Sequence, residues 1–249
     1  MGQFSVVIYK RSGSLLSGNQ QLRVSALRSL GAHLNIYTIE SMLDDLAKKA
    51  GKDPLAFRLT HTKDARARAV MQAAAKRFGW SRRKRGNGWR GCGMAFARYK
   101  NIGAYCALAM EIEVDRETGR IFVVRVGAAV DAGQPASPDG LRNQVEGGIV
   151  QSLSWAMCEE VTYDETKRTS FDWGTYPILR FQDVPDEIDV EVLDRPGLPF
   201  LGVGETAQGP ASAALANALF DATGLRLRDL PLTPDKVKAA LGVLPPITT

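Results

Sequence analysis

Metal-ligating side chains are scarce in this chain, which has two histidines and three cysteines among 249 residues. The cysteines are Cys92, Cys106 and Cys158, and no two of them have the C-x-x-C spacing that is typical of zinc and iron–sulfur sites. Only His33 and His61 could add to a ligand set. We therefore expect no metal ion held directly by protein side chains.

Long apolar runs are also absent, since no stretch reaches the roughly 20 residues that span a bilayer. The start of the chain lacks the order of a secretion signal, so the sequence predicts no membrane span and a cytoplasmic location. The net charge of +5 is modest, and much of it lies in the run 82–85. Because no aromatic platform accompanies that run, it indicates a surface loop rather than a nucleic-acid site.

Patterning along the chain predicts an α+β fold, with mixed sheets and packed helices. Glycine and serine punctuate residues 1–21, which are expected to be irregular. Residues 22–80 form a helical segment, 81–93 a basic linker and 94–249 an α+β region. Helical periodicity and capping residues predict helices over 33–50, from 53 onward, 64–78, 141–158 with Asp139 as its cap, 211–223 and 233–241. Period-two patterning predicts strands at 94–97, 105–114, 120–130, 159–163, 188–193 and 225–230.

One short motif, Gly202-Val203-Gly204-Glu205, places a carboxylate on a turn just before a predicted helix. Glycine can adopt backbone angles closed to other residues and lets a ligand approach the main chain. The N–H groups at such a helix start suit anionic oxygens. Taken alone, the motif is also compatible with an ordinary loop whose glutamate faces water.

Several segments in a fixed order carry a resemblance. They are 144–151 (QVEGGIVQ), 159–163 (EEVTY), 202–205 (GVGE) and 214–217 (ALAN), preceded by Leu27-Arg28-Ser29-Leu30-Gly31. Together they resemble the C-terminal half of the molybdopterin-binding large subunit of the xanthine dehydrogenase and aldehyde oxidase family, so the chain is expected to be a C-terminal module. The residues of these segments are most similar to those of the branch that contains isoquinoline 1-oxidoreductase and nicotinate dehydrogenase.

The resemblance implies a molybdenum hydroxylase subunit that oxidises an N-heterocycle or an aldehyde with oxygen derived from water. Glu205 matches the catalytic base, and a closed pocket would raise its proton affinity. Arg28 matches an arginine that steadies charge on the substrate, although a salt bridge at a helix start is an equal alternative. Cofactor contacts are implied for Gln144, Gly147, Gly148, Gly202, Val203 and Gly204. From the helix pattern alone, Gln144, Glu146 and Gln151 could hydrogen-bond backbone or a ligand, and exposed or locally satisfied groups are the ordinarily favoured alternative.

The same resemblance implies partners and a cofactor outside the chain. The cofactor is a molybdenum–pterin, for which a cytosine dinucleotide form is one candidate. Implied partners are an upstream half of the same subunit, a small 2Fe-2S subunit with the iron–sulfur clusters and a cytochrome as candidate electron acceptor. Exposed apolar surface is expected where the upstream half would dock. The alternatives are a non-catalytic fragment or assembly module and, on the basic run alone, a nucleic-acid binder.

Overall fold

The computed structural model describes residues 26–242, so the prediction for 1–21 lies outside the described residues. Four strands form a single mixed sheet, and helices cover both of its faces. The strands are β1 (Arg90–Arg98), β2 (Tyr105–Val114), β3 (Ile121–Asp131) and β4 (Glu187–Val192). The helices are α1 (Ala32–Lys49), α2 (Pro54–His61), α3 (Ala65–Phe78), α4 (Pro138–Met157), α5 (Gln208–Thr223) and α6 (Pro234–Leu241). The predicted α+β class with a mixed sheet is confirmed.

The sheet has the strand order β1-β2-β3-β4, in which the first two pairings are antiparallel and the third is parallel. Strand β2 is buried on both faces. Leu108 and Met110 belong to the core shared with α4 and α5, while Tyr105 and Ala107 pack with α3 on the other side. This alternation is the period of two that the sequence shows over 105–114.

Helix α5 is the central helix, and every residue from Gln208 to Leu219 is buried. Its small side chains allow the backbone of β1 to approach closely. A Cβ added to Gly93 would lie 2.2 Å from both the Ala214 carbonyl oxygen and the Ala218 nitrogen. The Asn217 amide donates to the carbonyls of Glu40 and Met94, which ties α5 to α1 and to β1.

A buried ionic cluster joins α1 to α2. Arg58 is 3% exposed and donates from Nε to Glu40 Oε2 at 2.7 Å and from Nη1 to Asp44 at 2.9 Å. The same Glu40 oxygen also accepts from the Phe96 N–H of β1 at 3.1 Å. The cluster therefore fixes α1 against the first strand of the sheet, next to the turn that carries Tyr99.

Two strand predictions are wrong. Residues 159–163 are largely exposed and form no ladder; Tyr163 makes an isolated bridge to Arg168, and Asp164 bonds its own turn. Residues 225–230 form no strand; the structure has no regular element there. There the Leu227 carbonyl accepts from the Tyr37 hydroxyl, so contacts with α1 replace a ladder.

Element ends also differ from the predictions in two places. Helix α4 begins at Pro138, and the Ser137 hydroxyl, rather than Asp139, caps it by accepting from the Gly140 N–H. Strand β1 begins at Arg90, inside the predicted linker 81–93. The basic run itself is mostly exposed, and Arg83 pairs with Asp53 at 2.6 Å.

Candidate functional site

The Gly202–Glu205 motif lies where the chain passes from the sheet into α5, as the sequence predicts. The Gly202 carbonyl accepts from the Ala104 N–H at 3.3 Å, and the Leu201 N–H donates to the Ala132 carbonyl at 2.8 Å. These bonds attach the motif to the start of β2 and the end of β3. The helix α5 then begins three residues after Glu205.

The expectation that these glycines use backbone angles closed to other residues is wrong, since neither Gly202 nor Gly204 has a positive φ. What they provide is open space. A Cβ added to Gly202 would meet nothing within 4 Å, and one added to Gly204 would have the Gln144 Nε2 at 3.9 Å as its nearest neighbour. The backbone is therefore left accessible from outside.

Two predicted site residues that are far apart in sequence meet at the Gly204 carbonyl. Arg28 Nε donates to it at 2.5 Å, and Gln144 Nε2 donates at 3.2 Å. Arg28 also donates from Nη1 to Gln151 Oε1 at 3.0 Å and from Nη2 to the Gln144 carbonyl at 3.3 Å. The arginine thus joins the loop before α1, the face of α4 and the motif before α5.

Glu205 lies beside this cluster and is partly buried. Its Oε1 accepts from the Ser29 N–H at 2.9 Å. The pKa of Glu205 is lowered, and the Tyr99 hydroxyl is the largest cause. Burial acts in the opposite direction but is outweighed by that hydroxyl together with the Ser29 N–H and the positive charges of Lys100 and Arg28. The expectation that a closed pocket raises the proton affinity of this carboxylate is therefore wrong.

Two cavities flank the motif. The Gln144 cavity, about 340 Å³, is lined by Gln144, Val203 and Gly204 together with the start of α4. The Glu205 cavity, about 210 Å³, is lined by Glu205, by Tyr99 and its neighbours in the β1–β2 turn, and by α1. Val203 and Gly204 line the first cavity and the next residue, Glu205, lines the second.

The two predicted glycines of α4 are in different surroundings. Gly147 is exposed, and a Cβ there would meet nothing within 4 Å. Gly148 is buried, and a Cβ would lie 3.1 Å from the Ala207 Cβ and 3.3 Å from Gln208 Nε2. The structure thus places Gly148 in the contact between α4 and α5 and leaves Gly147 on the surface.

Three residues of the site are not among the predicted ones: Ser29, Tyr99 and Gln208. Gln151, which the sequence already offers as a hydrogen-bonding residue, lies two turns after Gln144 on the same helix face and accepts from Arg28. Gln208 is fully buried, and with its amide oriented by its partners, its oxygen accepts from Arg28 Nε at 2.6 Å while its nitrogen donates to the Glu205 carbonyl at 3.0 Å. Tyr99 carries no local sequence signal, since only the tertiary fold brings its hairpin to Glu205.

The described residues were also compared with the features of a metal site and of a membrane-spanning helix. Among residues 26–242, no three His, Cys, Asp or Glu side chains come together in a way that could hold a metal ion. None of the helices in that range has the length and apolar character needed to cross a membrane.

Residues 39–185 match the molybdopterin cofactor-binding domain family. The chain is 42% identical over 234 residues to one subunit of nicotinate dehydrogenase from Pseudomonas putida, covering 89% of this chain and 20% of that protein. It is 33% identical over 221 residues to the beta subunit of isoquinoline 1-oxidoreductase from Brevundimonas diminuta, covering 88% of this chain and 28% of that protein. The chain thus spans less than a third of the length of either relative.

The fold is also similar to that of a solved molybdenum enzyme. Aldehyde oxidoreductase from Desulfovibrio gigas superimposes with a TM-score of 0.73 at 16% identity, covering 88% of this chain and 42% of that one. At this identity the likeness shows the fold alone. The resemblance read from the motifs is confirmed by the sequence matches: the chain belongs to the molybdopterin cofactor-binding domain family of molybdenum-dependent oxidoreductases.

Proposed function

We propose that this chain forms one side of the active site of a molybdenum hydroxylase, in which Glu205 is the base and the Gln144 side holds the cofactor. The observation that carries the proposal is the meeting of Arg28, Gln144 and the Gly204–Glu205 stretch, although Arg28 and Gly204 are 176 residues apart in sequence. A surface loop with a solvated glutamate would not need this arrangement of mutually bonded amides and guanidinium.

The residues present fit a pterin cofactor. A pterin offers a planar edge of donors and acceptors, which side-chain amides such as Gln144 can match. The open backbone at Gly202 and Gly204 would let such a ring approach the main chain. The family resemblance implies that the pterin, rather than protein side chains, would hold the molybdenum. The cytosine dinucleotide form of the molybdenum–pterin is one candidate for the cofactor that would bind here.

When bound, the cofactor supplies the oxidation of a substrate carbon with oxygen from water and takes up two electrons. Glu205 contributes the acceptor for the proton released in that step. Its Oε1 accepts one hydrogen bond from the Ser29 N–H, and the carboxylate keeps further lone pairs that could take up the proton. Because its pKa is lowered, the carboxylate is ionised at neutral pH and is ready to accept.

Arg28 acts as a positioning residue in this proposal. Its Nε, Nη1 and Nη2 groups donate to the Gly204 carbonyl, Gln151 and the Gln144 carbonyl. It has no ion pair with a carboxylate among the described residues, which disfavours the salt-bridge alternative. A direct contact between Arg28 and the substrate stays a prediction.

The names of the relatives, which are subunits, support a proposal about partners. We propose that an upstream half of the same subunit completes the cofactor site, that a small 2Fe-2S subunit takes the electrons, and that a cytochrome is a candidate acceptor after it. The substrate proposed is an N-heterocycle or an aldehyde, as the names of the relatives suggest. A cytoplasmic location fits the three unpaired cysteines.

The test is the Glu205→Gln variant, co-expressed with an upstream half and a small iron–sulfur subunit. Removing the base should lower kcat at least about 100-fold while molybdenum content is unchanged. Glu165→Gln, at an exposed position in the 158–186 connection, is the matched control and should keep full activity. Full activity of Glu205→Gln would end the proposal.

The alternative of a non-catalytic assembly module predicts something different. In that case the complex would contain no molybdenum, and thermal melting of the chain would not respond to the cofactor. Molybdenum analysis of the co-expressed complex therefore separates the two functions before any substrate is known.

A further inference from the structure

The turn between β1 and β2 holds Tyr99 in a constrained backbone. Residues Tyr99–Asn101 form a short 3-10 turn in which Lys100 and Asn101 have φ values of 49° and 59°. Non-glycine residues seldom occupy this left-handed region, and they do so where the surrounding structure imposes it. The Tyr99 carbonyl accepts from the Gly103 N–H at 2.8 Å, which closes the turn. The turn thus holds one side chain in a defined place.

That side chain belongs to the lining of the Glu205 cavity, as Glu205 itself does. The Tyr99 hydroxyl is buried, yet it has no well-aligned hydrogen-bond partner among the described residues. A buried hydroxyl without a partner is costly, and such groups mark sites where a bond forms in the working state.

The Glu205 carboxylate has one oxygen engaged and one available. The Ser29 N–H bonds Oε1, and no protein hydrogen bond with good geometry reaches Oε2 among the described residues. A single bond leaves a carboxylate free to rotate, whereas two bonds from different directions fix its plane. We propose that Tyr99 is a positioning residue that donates its hydroxyl to Glu205 and, with Ser29, holds the carboxylate in one orientation. This inference rests on the proposed role of Glu205.

The charges around Glu205 agree with this assignment. The groups that face it are the Ser29 N–H and Arg28 from the loop before α1, and Tyr99 and Lys100 from the β1–β2 turn; Arg98 lines the same cavity. Ser29, Arg28, Tyr99 and Lys100 all favour the ionised carboxylate. Burial and the neighbouring Glu205 raise the pKa of Tyr99 to about 12, so its hydroxyl remains protonated and able to donate at neutral pH.

A purely structural role for Tyr99 is the competing explanation, because its ring and backbone also pack against Gly103. The two explanations differ in what happens to Glu205. If Tyr99 only packs, Tyr99→Phe keeps the ring and should leave the titration of Glu205 unchanged. If the hydroxyl is bonded to the carboxylate, its loss should raise the pKa of Glu205.

The first experiment needs no cofactor. Carbon-13 NMR of the full chain, labelled at the glutamate carboxyl carbons, follows the titration of each glutamate, and Glu205→Gln assigns the signal. The expected result is a higher midpoint for Glu205 in Tyr99→Phe and no change in Tyr163→Phe, a matched variant at an exposed position. An unchanged midpoint in Tyr99→Phe would overturn the proposal. Unchanged signals of the other glutamates establish that the variant is folded.

A reciprocal measurement covers the case in which Tyr99→Phe does not fold. Ultraviolet titration of tyrosine ionisation should show one group titrating at lower pH in Glu205→Gln than in the parent, since a raising influence on Tyr99 has been removed. An identical tyrosine titration curve in Glu205→Gln would contradict the contact.

The second experiment uses the molybdenum-loaded complex. The acid limb of the pH profile of kcat/KM should move to higher pH in Tyr99→Phe, with about a tenfold loss on the acid side, as for a lost hydrogen bond to a charged group. A loss that is equal at every pH would indicate damage to packing and count against the positioning role. If Glu205→Gln is fully active while the NMR shift is seen, the contact stands and the proposed function fails.

Discussion

At the scale of single residues, the charge balance at Glu205 decides which chemistry this side chain can perform. The hydroxyl, backbone N–H and cations around it keep the carboxylate ionised. It can accept a proton without losing one first, but its basicity is reduced. The proposed reaction therefore depends on a proton donor that is itself acidified, as water is by a bound metal.

A second titratable residue, His33, is expected to make the free energy of unfolding depend on pH. It is 8% exposed, lies edge-on to Trp155 with 5.3 Å between ring centroids, and its Nε2 has no hydrogen-bond partner among the described residues. Burial lowers its pKa from 6.5 to about 4. Below pH 6.5 the unfolded chain binds a proton that the folded chain binds only near pH 4, so the stability due to neutral His33 is lost over that interval.

We expect the free energy of unfolding to fall by about 3 kcal/mol more in the parent than in His33→Phe between neutral pH and about pH 4. Urea unfolding at a series of pH values measures it. His61→Phe, at an exposed histidine, controls for the general effect of losing an imidazole. Parallel pH curves for the parent and His33→Phe would contradict the prediction.

At the scale of elements, local signals predicted most of the helices and the β2–β3 hairpin. Strand β2 has the predicted bounds 105–114, and the Gly224 stop of α5 adopts the left-handed conformation. Failures occurred where pairing partners decide the outcome. Residues 159–163 have strand-like composition but make no ladder, because the described sheet ends at β1 and β4 without them. Glu205 was predicted from the motif and Gln144 from the segment 144–151, whereas Tyr99 required the tertiary fold.

The close contact between β1 and α5 is expected to make the fold sensitive to any added side chain at Gly93. A Cβ at Gly93 would overlap the backbone of α5, which cannot move aside as a flexible side chain could. Gly93→Ala should therefore lower the free energy of unfolding by about 3 kcal/mol. Chemical denaturation measures the change, and a loss below about 1 kcal/mol would mean that the two elements can separate at little cost.

Gly147→Ala is the matched substitution on α4. Its Cβ meets nothing within 4 Å, and alanine is the better helix former, so this variant should be more stable by about 0.5–1 kcal/mol. The same variant tests the predicted cofactor contact of Gly147. Reduced molybdenum content in the co-expressed complex, despite the gain in stability, would support that contact, while unchanged content would argue against it.

At the scale of the whole molecule, one connecting segment exposes several large aromatic side chains to solvent. Phe171, Trp173 and Phe181 lie in the connection between α4 and β4 and are exposed by 68%, 70% and 92%. Large apolar side chains exposed together in one segment mark interaction surfaces in soluble proteins. The relatives are several times longer than this chain, and the proposed upstream half is the partner expected to cover this segment.

Replacing Trp173 and Phe181 with serine should therefore separate folding from assembly. Both side chains are exposed, so the free energy of unfolding should change by no more than about 0.5 kcal/mol. Aromatic residues carry much of the binding energy at interfaces, and the affinity for a co-expressed upstream half should fall at least about tenfold. Met42→Ser, at an exposed apolar position on α1, is the control and should keep the affinity. If the double variant bound as tightly as the parent, the aromatic segment would have to serve another partner, and the upstream half would have to dock on the face that carries the Gln144 cavity.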